Sequence, residues 1–299
     1  MERHQYSMGN RGLGTMKIAV ASDIHGNVLA LKAVLADLER QGGADHIVVT
    51  GDMVSYGPTP NEVFAILREL PHAHFLQGNT DRYLVEKNYP STGGDEWKDK
   101  LLLSFRWTAE HMDAEVLHFL ETLPLSLTIR EGDWRLLAVH GTPRSDEEGI
   151  TAATSDEDFD GMGISPAAVD LIVCGHTHVP LDRTINGVRV VNAGSVGLPF
   201  DGDPHACYAH ISVAPGEGTS PEVELRRVAY DVEKVVEQFY AVDHPAADIS
   251  AYNLRTAHSV GSSLIYTPEM RHGKAGPPAG GGPGRPTGQT HARILLLLI

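Results

Sequence analysis

Cysteine and long apolar runs are what this chain has least of. Its 299 residues include two cysteines, Cys174 and Cys207, which cannot build a disulfide framework. Both lie in apolar, strand-like runs, so we expect them to be reduced and buried. Residues 1–15 carry no apolar signal core, and no run approaches the length of a membrane span. We therefore expect a cytoplasmic protein without a membrane partner.

Positive charge is also scarce. Lys and Arg number 24 against 39 Asp and Glu, which gives a formal net charge of −15. Such a chain repels nucleic-acid phosphates, so a nucleic-acid partner is disfavoured. A small phosphorylated substrate is compatible with this balance, because bound cations invert the local field. Much of the acidic excess lies in residues 146–160, where we predict a solvated loop.

The central part of the chain alternates between strand and helix patterns. The strands expected in the first half are residues 17–22, 46–50 and 73–77. The helices expected along the chain are residues 27–40, 60–70, 97–122 and 232–241. This alternation predicts an α/β domain over residues 16–245, with a mostly parallel sheet first and hairpins later.

The two ends differ from the domain in composition. Residues 1–15 are polar, and we predict a disordered extension there. Residues 246–272 are expected to pack on the domain. Residues 273–299 are rich in Gly and Pro and are expected to be disordered. Their final apolar run is too short to span a bilayer, and could pack on the domain, add to a homo-oligomer contact or reflect an altered reading frame.

The stretch from Ala21 to Asn27 places an acid and an imidazole where a strand ends and a helix begins. Asp23 and His25 are two residues apart, so on an extended chain both side chains point to the same side. Alone, this pair is more typical of a helix-capping aspartate and a surface histidine. Ligand-type residues recur, however, after later strands, at Asp52, Asn79, His140, His176 and His178. Since open α/β sheets bind ligands at the carboxyl ends of strands, we expect these side chains to converge.

The donor atoms of these seven residues limit which metal ions they can bind. Two carboxylates, four imidazoles and one amide, without thiolate, suit Mn, Fe, Zn, Ni or Co better than Ca. Seven donors are too many for one tetrahedral ion. They fit two divalent transition metal ions that share a bridging carboxylate, and two ions about 4 Å apart form a hydrolytic centre.

The order of these blocks resembles the calcineurin-like metallophosphoesterases. Each block follows an apolar strand, and the order is Asp-x-His, Gly-Asp, Gly-Asn-x-Asp, a single His and Gly-His-x-His. The resemblance covers residues 16 to about 230, and residues 23–27, 192–197 and 201–204 are similar to the small bacterial and archaeal branch, which includes phosphodiesterases. It implies a four-layer αββα sandwich with two mixed β-sheets, the metallo-dependent phosphatase-like fold.

The resemblance also implies how the ligands are shared. One metal ion would be held by Asp23, His25, Asp52 and His178. The second would be held by Asp52, Asn79, His140 and His176. Asp52 would then bridge the ions, and a bridging hydroxide would attack phosphorus in line. The catalytic residues implied are Asp52, Asn79, Asp81 and His140.

Thr80 departs from the family pattern. The family often has a histidine at this place, which can protonate the leaving group, whereas a hydroxyl of high pKa is a poor general acid. This favours leaving groups that need little help, or protonation by water or another residue. His205 is one substitute, although a surface role is more typical of such a histidine.

Three residues beside the motifs are candidate substrate contacts: Asn27, Thr80 and Arg82. Asn27 and Arg82 could equally be a helix cap and a surface residue. Asp81 is predicted to hydrogen-bond its loop and so to orient the ligands.

The complete ligand set predicts a metal-dependent phosphoric ester hydrolase that acts on phosphodiesters or small phosphorylated molecules. Protein phosphatase, dinucleoside polyphosphate hydrolase and nuclease are substrate variants, of which the nuclease is disfavoured by the acidic balance. The alternative from another class is a non-catalytic metal-binding module with a regulatory or scaffold role, and Thr80 is the one feature in its favour.

Overall fold

The computed structural model describes residues 4–7, 14–90, 96–131, 134–165, 167–215 and 220–260. The strands in these ranges are β1 (His4–Ser7), β2 (Met16–Ala21), β3 (His46–Val49), β4 (Ala73–Phe75), β5 (Ser126–Glu131), β6 (Trp134–Val139), β7 (Leu171–Cys174), β8 (Leu181–Ile185), β9 (Val188–Asn192), β10 (Ala206–Val213) and β11 (Glu222–Val228). The helices are α1 (Val28–Arg40), α2 (Pro60–Leu67), α3 (Asn79–Glu86), α4 (Glu96–His111), α5 (Ala114–Glu121), α6 (Asp156–Asp160), α7 (Val232–Ala241) and α8 (Ala247–Thr256). In the described part of the chain, no helix is long and apolar enough to cross a membrane.

The strands form two mixed sheets. The first has the order β11-β10-β2-β3-β4, with β2, β3 and β4 parallel and β10 antiparallel to both of its neighbours. The second has the order β1-β5-β6-β7-β9-β8, with β6, β7 and β9 parallel. Each sheet therefore contains three neighbouring parallel strands whose carboxyl ends lie at one edge.

The two sheets pack face to face, and the strand pattern explains why. On β2, Ile18 and Val20 pack between the sheets with residues such as Leu136 and Val173, whereas Ala19 and Ala21 face the helices. This alternation is the two-residue period of a strand buried on both faces. Both cysteines are buried and free, as predicted.

Helices cover the outer faces of the two sheets unequally. The larger layer packs α1, α2, α4 and α5 on the first sheet. The other outer face is covered by the short α6 and its neighbours, through Ile150, Phe159 and Met162. The predicted α/β sandwich with four layers and two mixed sheets is confirmed, with a thin fourth layer.

Three local predictions need correction. The helix expected over residues 97–122 is two helices, because Asp113 takes an extended backbone conformation that caps α5. The helix α3 was not predicted, since few apolar residues mark it, and the acidic segment predicted as a loop contains α6.

The flanking segments differ from one another. Residues 4–7 lie in the predicted disordered extension, but their backbone pairs with β5 in parallel register as β1. At the other end, α8 packs on α7 through residues that include Phe239, Ala251 and Leu254. The structure describes this C-terminal segment as far as residue 260. The expectations for residues 261–272 and for the tail 273–299 lie outside the described residues.

A buried carboxylate joins α1 to the first sheet. Asp37 accepts hydrogen bonds from the Tyr208 hydroxyl at 2.9 Å, from Arg226 Nε at 2.7 Å and from Arg40 Nη2 at 3.0 Å. The hydrogen bond from Arg226 is the largest influence, and together these donors lower the pKa of Asp37 from 3.8 to about 2. Because the folded pKa lies below the unfolded one, this stabilisation is present above pH 4 and is lost as the pH falls towards 2.

We expect Asp37→Asn to lower the free energy of unfolding by about 2 kcal/mol at pH 7, because the buried donors lose a charged acceptor. Urea denaturation at pH 7 and at pH 3 measures this, and the gap from the wild type should narrow at pH 3. The control is Asp182→Asn, which removes a surface ion pair with Arg189 and should cost less than about 1 kcal/mol. Equal losses in the two variants would contradict the role of Asp37.

Candidate metal centre

The predicted ligands follow parallel strands of both sheets. Asp23, Asp52 and Asn79 come after β2, β3 and β4, and His140 and His176 come after β6 and β7. Backbone hydrogen bonds link these loops, including Asp23 N to Gly51 O at 3.1 Å and Gly175 N to His140 O at 2.8 Å. His176 N also donates to Asp23 Oδ2 at 3.0 Å. This last bond joins the two sheets at one edge.

The backbone at the ligands is unusual. Five of them have positive φ angles: Asp23 at 54°, His25 at 46°, Asp52 at 56°, His176 at 67° and His178 at 56°. A residue with a Cβ adopts this left-handed conformation at a cost of roughly 1–2 kcal/mol. Such conformations concentrate at functional sites, where surrounding contacts hold them. The sharp turns direct these side chains towards each other.

Two glycines allow the loops to approach this closely. A Cβ on Gly78 would lie 2.1 Å from Asp52 Oδ1, and a Cβ on Gly175 would lie 1.8 Å from Ser22 Oγ and 2.5 Å from Asp23 Oδ2. All three distances are far below van der Waals contact. Only glycine therefore fits at positions 78 and 175, directly before the ligands Asn79 and His176.

One group of donors surrounds Asp23. His178 Nε2 lies 3.2 Å from Asp23 Oδ1 and 3.1 Å from His25 Nε2, and His25 Nε2 lies 3.9 Å from Asp23 Oδ1. These three side chains could hold one metal ion, since their donor atoms all lie within 4.8 Å of one another.

A second group surrounds His140. His140 Nε2 lies 3.4 Å from Asp52 Oδ2 and 2.9 Å from Asn79 Oδ1, and His176 Nδ1 lies 3.1 Å from the same Asn79 oxygen. Asp23, Asp52 and His140 also have donor atoms within 4.8 Å of one another. Asp52 Oδ2 is 3.9 Å from His25 Nε2, so it lies between the two groups. The structure thus brings all seven predicted ligands together.

The outward nitrogens of the four histidines decide their tautomers. His25 Nδ1 faces Ser55 O at 3.3 Å, His140 Nδ1 faces Thr50 O at 2.9 Å, and His178 Nδ1 faces Leu198 O at 2.5 Å. His176 instead uses Nε2, which faces Glu147 O at 3.1 Å. A carbonyl oxygen can only accept, so each of these nitrogens carries the hydrogen. In the neutral ring, the remaining nitrogen presents a lone pair to the centre, which is how histidines bind metals.

The carboxylates also fit bound cations. Asp23 Oδ1 and Asp52 Oδ2 are buried and receive no hydrogen bond from any described residue. A buried anionic oxygen without a donor is costly. The His25 and His178 lone pairs would also repel each other at 3.1 Å. Cations among these atoms would remove both penalties, so the residues present suit divalent metal ions.

Electrostatics at the centre favour the metal-binding protonation states of both carboxylates and of two histidines, whereas His140 is the exception. Burial is the largest influence on His25 and His176, and lowers the pKa of each to about 4. Burial would raise the pKa of Asp23 and Asp52, but the surrounding imidazoles outweigh it and hold both below the ordinary value. For His140, burial is opposed by the Asp52 carboxylate, which raises the pKa to about 10. At neutral pH both carboxylates are ionised, and His25 and His176 are neutral.

Asp81 contacts the loops that carry the ligands. Its carboxylate accepts hydrogen bonds from Asp52 N at 2.7 Å, from Met53 N at 3.1 Å and from Gly78 N at 3.1 Å. Burial and the Asp52 carboxylate raise its pKa to about 7, while these backbone donors oppose the shift. Asp81 therefore links the loop of Asp52 to the loop of Asn79.

The three predicted substrate contacts are engaged with other groups. Asn27 caps α1, since its Oδ1 accepts from Ala30 N and its Nδ2 donates to Gly197 O, which agrees with the helix-cap alternative. Thr80 is fully buried, and its hydroxyl accepts from Ser55 Oγ at 2.6 Å. Arg82 pairs with three carboxylates, those of Glu86, Asp146 and Glu147. His205 is exposed and pairs with Asp203, as expected of a surface histidine.

Two kinds of contact at the centre had no signal in the sequence. The first is the set of backbone carbonyls that fix the histidines, because every residue type offers one. The second is the aromatic side chains beside the imidazoles. Phe200 stacks on His178 with ring centroids 4.7 Å apart, and the Tyr56 ring lies 5.3 Å from that of His25. Nothing in the spacing of these aromatic residues distinguishes them from core residues.

Comparison with known proteins yields a family match and several relatives. Residues 16–215 match the model of the calcineurin-like phosphoesterase superfamily domain. The chain is 30% identical over 238 residues to an uncharacterized protein of Methanocaldococcus jannaschii, covering 74% of this chain and 90% of that one. It is 28% identical over 198 residues to phosphodiesterase YfcE of Escherichia coli K12, and the match covers 63% of this chain and 84% of YfcE.

A solved structure agrees with this match. The metallophosphoesterase of Sphaerobacter thermophilus is 30% identical, covers 81% of this chain and 98% of its own, and superposes with a TM-score of 0.63. With a family model spanning residues 16–215 and a buried cluster of carboxylates and imidazoles at the strand ends, this chain belongs to the calcineurin-like phosphoesterase superfamily.

Proposed function

We propose that this protein is a dinuclear metal-dependent phosphoesterase that hydrolyses phosphodiesters or other small phosphorylated molecules. The observation that carries the proposal is the pair of donor groups that meet at Asp52 Oδ2, which lies 3.9 Å from His25 Nε2 and 3.4 Å from His140 Nε2. Two divalent ions of Mn, Fe, Zn, Ni or Co held there would supply Lewis acidity and an activated water for in-line attack on phosphorus.

The residues of the chain have separate tasks in this proposal. Asp23, His25 and His178 hold one ion, and Asn79, His140 and His176 hold the other. Asp52 is the shared donor, because its Oδ2 receives no hydrogen bond from any described side chain or backbone group and faces both groups. The carbonyls of Thr50, Ser55, Leu198 and Glu147 keep the four rings in their tautomers.

Asp81 is a positioning residue in this proposal rather than a group that touches substrate. Its two oxygens are occupied by three backbone donors, and it is fully buried. Arg82 acts similarly at a distance, because its ion pairs with Asp146 and Glu147 hold the loop whose Glu147 carbonyl fixes His176.

Thr80 stands where related enzymes often have a histidine that acts as the general acid. The Thr80 hydroxyl is buried against Ser55 and is too weak an acid to protonate an alkoxide efficiently. We therefore expect substrates whose leaving group is an alcohol of low pKa, or whose leaving group is protonated by solvent.

We expect the purified protein to release nitrophenol from bis(p-nitrophenyl) phosphate when supplied with Mn²⁺ and to lose this activity on chelation. Asp52→Asn should lower kcat by more than about 100-fold, since even residues that only orient metal ligands are worth 10–100-fold. The measurement is steady-state kinetics together with metal content by elemental analysis.

The matched control for this change is Asp170→Asn, because Asp170 precedes β7 and lies at the opposite end of that strand from His176. It should keep wild-type turnover. Full turnover in Asp52→Asn would remove Asp52 as the shared ligand. A metal-replete wild-type protein that is inactive on both monoesters and diesters would favour the non-catalytic metal-binding module.

For Asp81→Asn we expect the Mn²⁺ concentration that gives half-maximal activity to rise by about 10–100-fold, because the loops of Asp52 and Asn79 lose their common acceptor. The kcat at saturating Mn²⁺ should stay within a few-fold of the wild type. Metal titration of activity separates these two quantities. A large fall in kcat with unchanged metal affinity would instead make Asp81 a catalytic group.

A further inference from the structure

An open pocket adjoins the metal centre at His25. Its empty space of about 510 Å³ includes the solvent at its mouth, so the lining residues rather than the volume define what it can bind. The predicted ligands themselves are almost completely buried, with His25 2% exposed and Asp23 and His178 0% exposed. Because His25 is both a predicted ligand and a lining residue of the pocket, the pocket is adjacent to the place where a phosphate would lie.

The end of the pocket nearest the metal centre is aromatic. Phe200 stacks on His178 with an angle of 6° between the rings, and Tyr56 lies beside His25. Both Tyr56 and Phe200 line the pocket, so an apolar group next to the phosphate would meet ring surfaces there. Burial of such a group is favourable by about 25 cal/mol per Å² of apolar surface.

The far wall comes from three helices. Leu101 on α4, Phe239 on α7 and Leu254 on α8 line it, and Phe239 and Leu254 are buried where α7 packs on α8. The family match ends at residue 215, whereas α7 and α8 begin at Val232 and Ala247. The far wall is thus built partly by residues that follow the matched domain.

The polarity of the pocket limits its occupant. Among the described residues that line it there is no Asp, Glu, Lys or Arg. Its polar groups include a hydroxyl and amides, at Ser250, Asn253 and Asn27. A second phosphate or a carboxylate would have no cationic partner in such a lining, and desolvating it would be costly.

We infer that this pocket binds an uncharged, apolar or aromatic arm of the phosphoester substrate. The inference rests on the proposed function, since the phosphate must lie at the metal centre. It separates the substrate variants by chemistry: a phosphoester with a neutral organic arm fits, whereas a polyphosphate chain or a charged peptide does not.

The test uses phosphonates, whose carbon–phosphorus bond is not hydrolysed. The full-length protein loaded with Mn²⁺ is titrated with methylphosphonate, phenylphosphonate and 4-carboxyphenylphosphonate by calorimetry. The three share a head group, so their differences report the pocket. We expect phenylphosphonate to bind about tenfold more tightly than methylphosphonate, and the carboxylate to remove most of this gain.

Two variants of α4 make a matched pair for the same titration. Leu101→Trp fills the pocket, whereas Leu103, two residues along the same helix, is 44% exposed and is not among the lining residues of the pocket. The preference for phenylphosphonate should disappear in Leu101→Trp and persist in Leu103→Trp. Methylphosphonate affinity and metal content should be unchanged in both, which distinguishes a filled pocket from a damaged metal centre.

Equal affinity for methylphosphonate and phenylphosphonate in the wild type would overturn the inference. Equal behaviour of the two tryptophan variants would overturn it as well. Neither result would contradict the proposed function. The proposed function fails if the metal-loaded protein binds none of the phosphonates and does not hydrolyse bis(p-nitrophenyl) phosphate.

Discussion

The structure depends on one electrostatic constraint, the burial of two carboxylates among four imidazoles. Asp23 and Asp52 are 0% exposed, and each has an oxygen that no described group satisfies by hydrogen bonding. When neutral, the imidazoles direct lone pairs at the same space, because backbone carbonyls hold their opposite nitrogens. Such an arrangement is unfavourable without positive charge between the donors. The fold is therefore organised to bind cations, and its stability near the centre is coupled to them.

The backbone contributes to this constraint as much as the side chains. Five ligands occupy left-handed conformations, and Gly78 and Gly175 pass within contact distance of neighbouring loops. Each feature is unfavourable locally and is held by the two packed sheets, whose cores lie directly beneath. Asp81 adds a second restraint by accepting from the loops that follow β3 and β4. A rigid frame of this kind keeps donors at fixed distances, which a hydrolytic centre requires.

The two sides of the centre are closed in different ways. On the His176 side, the acidic segment that looked like a solvated loop is pinned by Arg82 and Tyr83, and its Glu147 carbonyl orients the imidazole. On the His25 side, Tyr56 and Phe200 lead into a pocket that α4, α7 and α8 complete. Acidic surface thus covers one face of the centre and neutral surface the other.

The sequence by itself determined the strands of the central domain, although not β1, because strand periodicity is a local property that a single chain displays. For the same reason it determined the order of the motifs and the seven residues at the strand ends. It also indicated the four layers through resemblance to a known family. Tertiary structure alone decided the rest. The hydrogen bond from Asn27 to Gly197 joins residues distant in the chain, as do the ion pairs of Arg82 with Asp146 and Glu147. The tautomers depend on backbone carbonyls that lie 20 to 90 residues from their histidines in the chain. The pocket depends on His25, Phe200 and Leu254, which meet only when the chain is folded, and no local pattern encodes that proximity.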